Sequence, residues 1–170
     1  MKELLLIIDM QNDFIDGSLG TKEAQAIVPL VAMRAAAARH IIFTQDTHGE
    51  DYLTTQEGKK LPVRHCIKPE QGWEICAELQ PYVNAHNVLE KPTFGCTKLV
   101  QVVEDYDKIT LTGLCTDICV ISNALLLKAF YPEKQIEVDA SCCAGVTPES
   151  HQNALQAMQS CQIEICDCTK

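Results

Sequence analysis

The chain has 170 residues, 46% of them hydrophobic and 22% charged, with 23 acidic side chains against 14 basic ones and a net charge of −9. That length suits one domain, residues 1–170, with its own core, and the negative surface repels nucleic acid and anionic membranes. No apolar run reaches the roughly 18 residues of a membrane span. The opening residues are too short a stretch for a signal peptide. A cytoplasmic protein acting on a small molecule is expected.

Glu3 to Met10 is a continuous apolar run ending near an acid, the pattern of a buried parallel strand. Glu23 to Arg39 is Ala-rich and reads as a helix, with Pro29 at its first turn or at a kink. His40 to Gln45 predicts a second strand, followed by a polar loop from Asp46 to Pro69. Trp73 to Leu79 predicts a short helix and Asn87 to Glu90 a short strand. The alternation continues with a helix over Thr97 to Glu104, a strand over Lys108 to Leu114 and an apolar helix over Asp117 to Phe130. A strand over Gln135 to Ala140, a helix from Pro148 to Ser160 and a strand over Gln162 to Cys166 complete the chain. Six strands alternating with helices imply a three-layer α/β/α domain around a six-stranded parallel sheet.

Ten cysteines are many for this length. No Cys-x-x-Cys occurs, and Cys142-Cys143 and Cys166-x-Cys168 are poor chelating pairs. Most are expected to be reduced and buried. In parallel sheets, ligands sit beyond the carboxyl ends of the strands. Four strand exits here carry reactive side chains: Asp9, Asp46, Lys91 and the segment Cys115 to Cys119.

That last segment runs from strand into helix. With Thr116 or Asp117 as N-cap, Cys119 falls in the first turn, where free amides and the helix dipole favour a thiolate and can donate to a developing oxyanion. Read alone, Cys119 is equally a small buried cysteine, Asp9 a turn acid and Lys91 a solvated lysine. Their shared address at strand ends makes the three a candidate catalytic set. Farther along, Asp46-Thr47-His48 leaves a strand extended, so Asp46 and His48 point to one side. His65 and Glu57 lie on the loop beyond. Two imidazoles with carboxylates suit a divalent metal, zinc by donor type, or iron or manganese if water completes an octahedron; as loop residues they are equally read as solvated.

Five stretches then carry a family resemblance: Leu6 to Phe14 (LIIDMQNDF), Phe43 to His48 (FTQDTH), Pro62 to Cys66 (PVRHC), Lys91 to Gly95 (KPTFG) and Gly113 to Val120 (GLCTDICV). In this order the chain resembles the isochorismatase-like cysteine hydrolases, the group that contains nicotinamidase/pyrazinamidase. The resemblance implies an Asp9–Lys91–Cys119 triad, a cis peptide at Leu114–Cys115 and an oxyanion hole formed by the Cys115 and Cys119 amides. It implies cleavage of a small carboxamide to acid and ammonia through a thioester. It also implies metal ligands at Asp46, His48 and His65, with Glu57 as a fourth, and assembly into a homo-oligomer. Substrate contacts are expected from Phe14, Leu19 and Phe94, with Trp73 a second candidate for stacking.

The chain departs from the family at Leu61, where nicotinamidases often carry an aromatic residue, and in having an extra residue between Pro62 and His65. A carbamoyl or ureido substrate on the same triad is the alternative, and isochorismatase-type cleavage of a vinyl ether is another. A non-enzymatic cysteine-rich metal buffer would need chelating cysteine pairs that the sequence lacks. His86, His151, Tyr106, Cys142 and Cys143 are read as surface or packing residues.

Overall fold

The computed structural model describes residues 1–167, so Cys168 lies outside the described residues. In chain order the elements are β1 (Glu3–Ile8), α1 (Asn12–Ile15), α2 (Lys22–Ala37), β2 (Ile41–Asp46), α3 (Gln56–Lys60) and β3 (Val88–Lys91). There follow α4 (Leu99–Val102), β4 (Lys108–Leu114), α5 (Ile121–Phe130), β5 (Gln135–Ala144), α6 (Pro148–Ser160) and β6 (Glu164–Cys166). All five strand pairings are parallel, in the order β3-β2-β1-β4-β5-β6.

The apolar run of β1 explains the layering. Successive side chains point to opposite faces, so Leu4, Leu6 and Ile8 join one core with Leu99 of α4, Ala124 and Leu127 of α5, and Leu155 and Met158 of α6. Leu5 and Ile7 join the other, with Phe14 of α1 and Ala24, Ile27, Val28, Val31 and Ala35 of α2. Both faces are covered, which is why β1 has no polar alternation. No helix among the described residues is long and apolar enough to cross a membrane.

Several boundaries differ from expectation. Pro29 lies in the interior of α2, not at its first turn. It is exposed, and its ring leaves the carbonyl one turn earlier without an amide to bond. Thr21 caps that helix by accepting from Ala24 N at 3.0 Å. The region expected to be helical over Trp73 to Leu79 is two separate 3-10 turns, Gln71–Trp73 and Ala77–Tyr82. Only one turn of the helix expected over Thr97 to Glu104 forms. β5 runs on to Ala144 because the pairing with β4 shifts register between Leu111 and Gly113. The start of α6 follows the sequence: Thr147 and Ser150 form a capping box with Pro148 in the first turn.

The strand order reverses direction of winding between β1 and β4. Parallel sheets bind their ligands beyond the strand ends at such a point. Register does the rest. Asp46 and Lys91 are paired across β2 and β3, and Ile8 pairs with Thr44 on one side and Gly113 on the other. Lys91, Asp46, Asp9 and the Cys115–Cys119 segment therefore stand side by side along one edge.

Candidate active site

Asp9 leaves β1 at φ +46°, a left-handed conformation that Asp adopts more readily than most residues. Its carboxylate is fully buried and holds two partners: Thr44 Oγ1 donates to Oδ1 at 2.6 Å, and Lys91 Nζ lies 2.6 Å from Oδ2. Lys91, 1% exposed, is the hub. Its ammonium also donates to the Thr93 carbonyl at 2.9 Å, contacts Asp46 Oδ1 at 3.3 Å and reaches Cys119 Sγ at 3.5 Å. Burial alone would lower the Lys91 pKa, but the Asp9 carboxylate first, with the Cys119 sulfur and Asp46 beside it, outweighs burial and holds the ammonium well above its ordinary value.

Cys119 stands on a five-residue π-type turn, Thr116–Val120, that precedes α5. Val120 N closes it on the Cys115 carbonyl at 3.1 Å. The capping residue is Cys115, in extended conformation and without a side-chain cap bond, not Thr116 or Asp117. Those two serve elsewhere: the Thr116 hydroxyl bonds His151 Nδ1 at 2.7 Å, and Asp117 Oδ1 accepts from Val146 N at 3.1 Å. His151, read as a packing residue, thus braces the turn that carries Cys119. The Leu114–Cys115 peptide is cis. Gly113, at φ +108°, lies so close to Ile8 that a side chain would collide with the Ile8 carbonyl oxygen.

The electrostatics correct one expectation. A helix start was expected to favour the Cys119 thiolate. Cys119 is 4% exposed, and burial, followed by the Asp9 charge, pushes its thiol well above the ordinary value despite Lys91. Burial also raises the Asp9 carboxyl, against the pull of Lys91. Burial thus favours the neutral thiol at Cys119, beside the Asp9–Lys91 pair at 2.6 Å.

The second cluster adjoins the first through Asp46, whose Oδ1 faces Lys91. Its Oδ2 lies 3.0 Å from His48 Nε2 and 3.7 Å from His65 Nε2. Glu57 Oε1 is 3.6 and 3.7 Å from the same two nitrogens. Atoms each about 2.0–2.2 Å from one zinc must lie within about 4.4 Å of each other. These four pairs meet that limit, and the full donor set, within 4.8 Å, needs to close by no more than a few tenths of an ångström to do so. A parallel bridge between His48 and Ile67 folds the loop back, so that His65 faces His48. His65 Nδ1 bonds the Val63 carbonyl at 2.8 Å, which places the proton there and leaves Nε2 free to ligate. The residues fit a divalent metal.

Of the expected substrate contacts, Phe14 lies with its ring 5.5 Å from that of His65, and Leu19 is half-buried beside it in the same core. Phe94 is 43% exposed, two residues beyond the Lys91–Pro92 exit. Trp73 instead packs into the α2-side core, its indole N–H donating to Thr47 Oγ1 at 2.9 Å.

Sequence reasoning missed the supporting residues. Gln11 clamps the Asp46 backbone, donating to its carbonyl at 2.8 Å and accepting from its amide at 2.7 Å. Asp13 accepts from Cys66 N at 2.7 Å and holds Cys66 at φ +49°, next to His65. Asn123 donates to the Cys119 and Phe94 carbonyls at 2.8 and 3.1 Å, joining the Cys119 turn to the loop after Lys91. Only Asn123 gives a signal, a polar residue beside the apolar run Ala124 to Leu127.

The sequence model for the isochorismatase domain matches residues 3–170. An uncharacterised isochorismatase family protein of Bacillus subtilis is 30% identical, covering 91% of this chain and 93% of its own length. Among solved structures, the pyrazinamidase/nicotinamidase of Streptococcus mutans superposes with a TM-score of 0.82 at 30% identity, covering 96% of this chain and 99% of that one. The pyrazinamidase of Pyrococcus horikoshii in complex with zinc gives 0.83 at 23% identity, over 98% of this chain and 99% of that one, and shares the fold.

Proposed function

We propose that this chain, which belongs to the isochorismatase domain family, hydrolyses a small aromatic carboxamide of the nicotinamide or pyrazinamide type to acid and ammonia, with Cys119 as nucleophile. The observation that carries this reading is the buried Lys91 ammonium, in contact at once with the Asp9 carboxylate at 2.6 Å and the Cys119 sulfur at 3.5 Å. A thiol held neutral at rest needs a base within reach, and Asp9 is the carboxylate beside it.

Asp9 takes the thiol proton as sulfur attacks the carbonyl carbon. Lys91 offsets the negative charge that moves from carboxylate to sulfur. The Cys115 amide, just before the turn, and the Cys119 amide within it are the donors for the tetrahedral oxyanion. Asp9 then gives its proton to the leaving nitrogen, ammonia departs, and a thioester to Cys119 remains. Water deprotonated by Asp9 attacks that thioester, releasing the acid and restoring the thiol. A divalent metal held by Asp46, His48, Glu57 and His65 would supply a Lewis-acidic contact for a ring nitrogen of the substrate. Phe14 and Leu19 would bound the ring on one side and Phe94 the entrance.

Ammonia release from nicotinamide, pyrazinamide and a set of ureido acids, each with and without a chelator, tests the reading. Turnover is expected for the aromatic carboxamides, falling on chelation and recovering with zinc. Turnover of ureido acids alone would transfer the triad to the other substrate class. Full activity on nicotinamide after metal removal would count against the metal centre.

A further inference from the structure

Residues 49–61 are almost wholly polar, and an aromatic ring in such a loop would be expected at the surface. Tyr52 is instead fully buried, and its ring touches both metal-site imidazoles, with centroids 4.7 Å from His48 and 4.9 Å from His65. Its phenol donates to the Leu61 carbonyl at 2.9 Å, so the hydroxyl is satisfied at the far end from the imidazoles. The Tyr52 backbone has a second task. Its carbonyl accepts from the Thr55 hydroxyl at 2.7 Å, and that hydroxyl accepts from Gly58 N at 3.0 Å.

Gly58 is buried against this turn. A side chain there would collide with the Tyr52 carbonyl oxygen and stand 2.9 Å from Leu53 Cα. Helix α3, which carries Glu57 and Gly58, has only five residues and so has little stability of its own. Its place is set by this close approach, and with it the place of Glu57.

We propose that Tyr52 and Gly58 are positioning residues for the metal centre. The Tyr52 ring fixes the separation of His48 and His65, and the contact of Gly58 with the Tyr52 backbone sets Glu57 opposite them. Three of the four donors are thereby located by one buried side chain and one missing one. The proposal rests on the reading of Asp46, His48, Glu57 and His65 as ligands.

Zinc affinity, measured on the full chain by competition with a chromogenic chelator, tests it, with circular dichroism melts of the metal-free proteins as the measure of fold. Gly58→Ala and Tyr52→Leu are expected to bind zinc about 10–100-fold more weakly, while Tyr52→Phe, which keeps the ring, stays close to wild type. Thr55→Val, which removes the hydroxyl link without filling space, is expected to weaken binding in the same direction. Should Tyr52→Leu fail to fold, Gly58→Ala and Thr55→Val decide the matter through the backbone contact. Folded Gly58→Ala with wild-type zinc affinity would overturn the proposal. A wild-type chain that binds no zinc would instead overturn the ligand reading beneath it.

Discussion

Cys119→Ala is expected to lower ammonia release by about 10⁴-fold or more, the scale on which removal of a nucleophile acting as part of a unit is felt. The size of the loss follows from how completely the other groups depend on the thiol. Asp9 and Lys91 are buried at 0% and 1% exposure and are aimed at each other and at Cys119. The substitution removes one sulfur atom from a buried site and leaves Lys91 its contacts with Asp9, Asp46 and Thr93. Its stability effect is accordingly expected in the common range of about 0.5–3 kcal/mol. Steady-state rates, read alongside a thermal melt, separate lost chemistry from lost fold.

Asp9→Asn should have two effects of opposite sign. Turnover is expected to fall by about 10²–10⁴-fold, the usual contribution of a positioned acid–base group. The thiol, however, should become easier to ionise. After burial, the Asp9 charge is the largest influence raising the Cys119 pKa, whereas Lys91 lowers it. Removing the carboxylate leaves the ammonium with the sulfur as its natural counter-charge. The thiolate is the species that iodoacetamide alkylates, so the profile of alkylation rate against pH should move to lower pH in Asp9→Asn. A variant that alkylates faster at neutral pH yet turns over more slowly is hard to produce by general disruption of the site. Losing a partner from a buried ion pair also costs stability, by about 3–5 kcal/mol where the remaining charge is uncompensated. Lys91 keeps Asp46 and the Thr93 carbonyl, which places the expected loss at or below the lower end. An alkylation profile unchanged from wild type would remove Asp9 from contact with the thiol.

The parts of this molecule that were legible in the sequence are those set by short-range pattern. The run Leu4 to Ile8 is buried on both faces and could be nothing but a central strand. The reactive side chains followed from the same pattern, because a parallel sheet delivers its strand ends to one edge. Asp9, Asp46 and Lys91 are all at such ends. What escaped notice depends on partners distant in the chain or on the exact hydrogen-bond pattern. Nothing in Thr116 to Val120 announces a π-type turn, since one residue's difference in the carbonyl reached leaves no mark on side-chain periodicity. The thiol's surroundings are hidden for a related reason: the helix start is visible in sequence, whereas the burial that opposes ionisation comes from other strands. Gln11 meets Asp46 across 35 positions, and Thr44 meets Asp9 across the same span. Tyr52 was hidden by its polar surroundings, and the segment Trp73 to Leu79 by an apolar spacing that serves two tight turns as well as it serves a helix.

The central claim is a covalent one, that the substrate acyl group passes through the sulfur of Cys119. Acid quench of the wild-type enzyme during turnover of nicotinamide, followed by peptide mapping by mass spectrometry, tests it most directly. The account predicts an acyl adduct confined to the peptide that contains Cys119, present during turnover and gone when substrate is exhausted. Turnover at the full rate with no adduct on Cys119, or with an adduct on another cysteine, would contradict it.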